Sequence, residues 1–148
     1  MLRRWLIAAV VALISIPTQS TLTVHAQGPT TEDVKRLSVL VDIRESVIRS
    51  IGAAPETVDV SMTDKALTVA RINSKLNRSS HAGRDNEAKA IARIVSEWTS
   101  GKSEFRGLVA IRVQYEMRST LFRKTHILVV DTVAFRAGPD GRFQFGQT

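Results

Sequence analysis

Apolar positions change their spacing repeatedly along this chain, and each change marks an element. Val34, Leu37, Leu40, Val41, Val47, Ile48 and Ile51 recur at helical steps, with Lys35, Arg36, Asp42, Arg49 and Ser50 mostly on the other side, which predicts an amphipathic helix. Thr30 with Asp33 three positions on predicts its N-cap, and Gly52 followed by Pro55 predicts its end. The period then drops to two. Val58, Val60 and Met62 alternate with Asp59 and Ser61, Thr63-Asp64-Lys65 turns the chain, and Ala66 to Ile72 completes a β-hairpin. From Asn73 to Gly83 the pattern gives way to a polar, basic loop in which Leu76 is the one apolar residue of size.

Helical spacing returns in Ala88, Ile91, Val95 and Trp98, with Asp85 as the predicted N-cap and Gly101 as the terminator. Val109, Ile111, Val113, Tyr115 and Met117 alternate with Ala110, Arg112, Gln114 and Glu116, the pattern of a strand with one buried and one wet face. Trp98 and Tyr115 belong to the expected core. His126 to Arg136 is a more uniformly apolar strand, Gly138-Pro139-Asp140-Gly141 a turn, and Phe143 with Phe145 a short last strand. The order α-β-β-α-β-β-β predicts an α+β domain: an antiparallel sheet of four to five strands with two helices packed on one face.

The stretch before this domain reads as an address. Arg3 and Arg4 give a positive start, Trp5 to Ile16 an apolar run of 12 residues, and Val24-His25-Ala26 a small-x-small cleavage site, so residues 1–26 are expected to be a cleaved signal peptide. The run falls well short of the roughly 20 residues of a spanning helix, and no anchor is expected after cleavage. Arg3-Arg4 also allows a twin-arginine route. Residues 27–148 are then a single small α+β domain, periplasmic or secreted. With no cysteine in the chain, thiol chemistry and cysteine–zinc sites are excluded, and stability must come from apolar burial and hydrogen bonds.

Charge points toward acidic partners. The net charge of the whole chain is +7, and two of the positive charges lie in the leader. Arg71, Lys75, Arg78, Arg84, Lys89 and Arg93 form one basic group, and Arg118, Arg123 and Lys124 crowd a later loop around Leu121 and Phe122. At 5% aromatic residues, the stacking platform of a single-strand nucleic-acid binder is not evident, so nucleic acid is not the expected partner. Leu121 and Phe122 either fold back on the sheet or form an exposed hook for a partner or membrane surface.

Reactive side chains concentrate between Asn73 and Glu87, where a strand leaves the sheet and a helix begins. His81 beside Asp85 or Glu87 has the residue types for proton exchange, and Arg78 or Arg84 would reinforce anion binding at the helix start. Ser79 and Ser80 next to His81 do not make a nucleophile–base pair, because sequence neighbours rarely reach each other in the required geometry. No HExxH, G-x-S-x-G, phosphate loop or dinucleotide fingerprint occurs, so no catalytic residue, metal or cofactor is assigned. Asn77-Arg78-Ser79 is formally a glycosylation acceptor.

The expected function is a small exported binding module, non-enzymatic, that contacts a protein or anionic envelope component through its basic loops. Its candidate ligand-binding residues are Arg78, His81, Arg84, Asp85, Glu87, Arg118, Arg123 and Lys124. A hydrolase or ligand-processing enzyme centred on residues 73–87, and an assembly subunit joined by strand addition, are the alternatives.

Overall fold

A computed structural model describes residues 30–145; the signal peptide expected over residues 1–26 lies outside the described residues. Helix α1 (Thr31–Ile51) starts on a reciprocal cap. The Thr30 hydroxyl accepts from the Asp33 amide, and the Asp33 carboxylate accepts from the Thr30 amide and hydroxyl, which holds that carboxyl below its ordinary range. Gly52 ends the helix in the left-handed region at φ 61°, where a side chain would be strained. Strands β1 (Val58–Thr63) and β2 (Ala66–Ile72) form the hairpin, and helix α2 (His81–Thr99) leads to β3 (Ala110–Leu121) and β4 (Lys124–Arg136).

The sheet runs β1-β2-β3-β4 and is mixed, which corrects the expected antiparallel arrangement: β1–β2 and β3–β4 are antiparallel, whereas β2 and β3 are parallel. The cause is the length of α2. Its 19 residues span about 28 Å, at least as far as seven-residue β2 extends, so the helix carries the chain back to the starting end of the sheet. Among the described residues there is also no fifth strand. Phe143 makes a single bridge with Ala137, after the Gly138–Gly141 turn, and Phe145 packs edge-to-face on Phe135 at 5.6 Å.

Register fixes which side chains are covered. Val58, Val60 and Met62 lie opposite Arg71, Val69 and Leu67, which pair in turn with Tyr115, Val113 and Ile111, and these with Asp131, Val133 and Phe135. Both helices pack on this one face. Val39, Ile43 and Val47 of α1 and Ala88, Ile91, Ala92 and Val95 of α2 close over it, and the core is apolar except at one end, where Arg71, Tyr115 and Asp131 share a row. The buried α1 stripe differs from the expected one: Val34, Leu37 and Val41 are exposed. Helix α2 begins a full turn before Asp85, with Ser80 in the cap position, because His81 and Arg84 are held from outside the helix.

Beyond Glu116 the β3–β4 pair continues alone. A register shift between Tyr115 and Glu116 resets β4, and from Met117 to the tip the two strands pair only with each other. Most of this arm is exposed, including Ile127, Leu128 and Val129, so the apolar run in β4 marks an edge strand and not a buried one. Phe122 and Arg123 form its two-residue turn, with φ of 48° and 63°. Positive φ at both positions is the habit of Asn-Gly; for residues with a Cβ it costs about 1–2 kcal/mol each.

Candidate functional site

At the polar end of the covered face, four elements are tied by charge. Arg71 on β2 is buried with every nitrogen engaged: Nε donates to Glu87 Oε1 at 2.9 Å, Nη1 to the Thr57 carbonyl and hydroxyl at 3.1 and 3.2 Å, and Nη2 to the Ser74 hydroxyl at 3.3 Å. Tyr115, fully buried in β3, donates its one proton to the Arg84 carbonyl at 2.8 Å, with the Glu87 carboxylate as its electrostatic neighbour. Burial first, and that negative charge second, push the phenol far above its usual range, so it remains a neutral donor.

Asp131 on β4 is the second centre. Its Oδ2 accepts from Arg84 Nε at 2.8 Å and lies 2.7 Å from His81 Nδ1. Arg84 first, then His81, hold its carboxyl below the ordinary aspartate range. Arg84 also donates to the Leu76 and Ser79 carbonyls, closing the short helical turn Lys75–Arg78 that precedes α2. This network satisfies its charges internally and joins α2 to β2, β3 and β4.

The expected site residues therefore separate. His81, Arg84 and Glu87 belong to the network, with Glu87 bound to Arg71. Asp85 pairs with Lys89 one turn along α2 at 2.9 Å. Arg118 lies on the opposite sheet face, where Nε meets Glu116 Oε2 at 2.7 Å and Nη2 lies 3.8 Å from Asp59. Arg78, Arg123 and Lys124 are exposed and form no ion pair among the described residues; exposed Lys75 shares that property. A carboxylate-oriented His81, 69% exposed, has the makings of a base, but neither it nor Glu87 lines the concavities of about 390 and 860 Å³. The Ser79 hydroxyl donates to the Leu76 carbonyl. Among the described residues, no three His, Asp or Glu side chains converge as metal ligands would.

The 73–78 loop meets the root of the arm, with Arg123 and Lys124 three strand rows further out at its tip. Asn73 donates its side-chain amide to the Arg118 carbonyl at 3.0 Å and accepts from the Arg118 amide at 2.8 Å, fastening the 73–78 loop to the root of the arm. Asn77 Nδ2 donates to the Glu116 carbonyl at 2.6 Å, while its buried Oδ1 has no partner among the described residues. Between loop and arm lies a concavity of about 390 Å³ lined by Asn73, Ser74, Lys75, Asn77, Arg78 and Met117. A larger one, about 860 Å³, lies at the opposite end of the sheet between the α2–β3 link and the Gly138–Gly141 turn, and contains none of the expected site residues.

Sequence reasoning left Arg71 and Asp131 out of the site. Their signal was parity: Arg71 is in step with Leu67 and Val69, and Asp131 with Val133 and Phe135, so each is a charge on an apolar face that needs a partner. No family model, curated protein or solved structure matches this chain, so function has to be reasoned from these residues and their chemistry.

Proposed function

We propose that the chain is an exported attachment module, non-enzymatic, that holds an anionic envelope component against the end of the sheet where the 73–78 loop meets the β3–β4 arm. One observation carries the reading. Arg71, Arg84, Lys89 and Arg118 are each spent on a carboxylate, whereas Lys75 and Arg78 in the loop and Arg123 and Lys124 at the tip of the arm are exposed and form no ion pair among the described residues; Arg93 and six other exposed cations share that property, but they do not border the loop or the arm tip. Unpaired cations on a satisfied scaffold attract polyanions from solution without a cost in internal ion pairs. The leader, if cleaved, delivers this surface to the periplasm or beyond.

Immobilised heparin tests it. The native protein is expected to be retained and to elute with salt, and Arg78→Glu, Arg123→Glu, Lys124→Glu together to pass through while remaining folded. Retention of that triple variant equal to native would remove the proposed surface.

A further inference from the structure

We infer that the tip of the β3–β4 arm, Leu121 and Phe122 with Arg123 and Lys124, embeds in the headgroup–acyl boundary of an anionic bilayer; this rests on the attachment reading and names its target. Phe122 is 91% exposed and Leu121 59%. The folded chain gives nothing back for that exposure, and Phe122 also stands in a left-handed conformation that phenylalanine disfavours. Hairpin stability alone would put Asn or Gly there.

Composition selects the occupant. From Met117 to Val130 the arm carries Arg118, Arg123 and Lys124 and no acidic residue, so two arms brought together would repel, whereas lipid phosphates complement them. Its apolar side chains occupy both faces: Met117 pairs with Leu128 on one, and Ile127 and Val129 lie opposite Arg118 and Glu116 on the other. A protein groove covers one face of a ribbon. A bilayer boundary surrounds the tip on every side. Depth is limited to about 5–10 Å, two or three residues of strand, because the unpaired strand edges must stay hydrated. That depth submerges Leu121 and Phe122 and leaves Arg123 and Lys124 among the phosphates, their stems along the acyl boundary.

Vesicle co-sedimentation of the native protein tests this. Binding is expected to vesicles of phosphatidylglycerol with phosphatidylethanolamine and not to phosphatidylcholine alone. Phe122→Asn should weaken it about 10- to 100-fold, the value of burying one aromatic side chain, while the urea midpoint holds or rises because Asn accepts the left-handed turn. Phe122→Trp should keep the binding and add a blue-shifted emission on vesicles, read against the native spectrum. Full vesicle binding by Phe122→Asn, or an added indole emission typical of water, overturns the inference. So does a native dimer that Phe122→Asn dissociates without lipid, which would make a second copy the occupant. If the native protein is retained on heparin but ignores anionic vesicles, lipid embedding is wrong and the attachment reading stands. If it is retained by neither, both fall.

Discussion

Glu87→Ala is expected to lower the unfolding free energy by about 3–5 kcal/mol, as seen when one partner of a buried ion pair is removed. The side chains of Arg71 and Glu87 are only 7% and 15% exposed, and Arg71 lies in the row that continues Leu67 and Val69 under the helices. Without Glu87, its guanidinium keeps the Thr57 and Ser74 contacts but no countercharge. Arg71→Met with Glu87→Leu should recover most of the loss, since the covered face then continues as apolar packing. Urea unfolding of the two variants beside native protein decides it; a loss below about 1 kcal/mol for Glu87→Ala would mean that the pair is effectively solvated.

Asp131→Ala is expected to cost about 2–3 kcal/mol, because a hydrogen bond between charged groups contributes about 1.5–3 kcal/mol and Arg84 is the well-covered partner. His81, mostly exposed, adds little to that figure. The pH dependence follows from the lowered carboxyl. A group whose pKa falls on folding contributes its full stability above its unfolded value, here 3.8, and loses it as pH drops through the folded value. Native protein should therefore lose stability below about pH 4 more steeply than Asp131→Asn, in urea midpoints taken from neutral pH downward. Parallel curves would show that Asp131 does not titrate with folding.

Much of this fold was legible in local pattern. The Thr30–Asp33 cap, the Gly52 stop, the Asp64–Lys65 hairpin turn and the alternation through Tyr115 are short-range chemistry, and each appears where spacing placed it. Strand direction was not legible by period, since alternation reads alike in parallel and antiparallel pairs; the span of α2 decided it. The apolar run in β4 says nothing by itself of whether the strand is covered, and among the described residues nothing covers Ile127, Leu128 and Val129. Asp85 reads as the N-cap in the sequence, yet α2 starts one turn earlier because that turn is fixed by Asp131 and the Tyr115 hydroxyl.

The candidate site was legible as a neighbourhood more than as a constellation. Of the residues around His81, Arg84 and Glu87 turn inward and are answered by Asp131 and Arg71 from distant strands, whereas His81 stays mostly exposed and Asp85 pairs with Lys89 along α2. Arg78, Arg123 and Lys124 face solvent without an ion pair among the described residues, as Lys75 and Arg93 do, and partners on distant strands, Asp131 for Arg84 and Asp59 for Arg118, are what separate the two sets.

The most direct measurement is the affinity of the native protein for heparin across a series of salt concentrations. If Lys75, Arg78, Arg123 and Lys124 make the attachment, log K should fall linearly with log salt at a slope of about −3, roughly 0.7–0.9 for each cation neutralised, and the slope should collapse when all four are replaced by Gln. A flat line in the native protein, or a slope that survives those replacements, would contradict attachment through this end of the molecule.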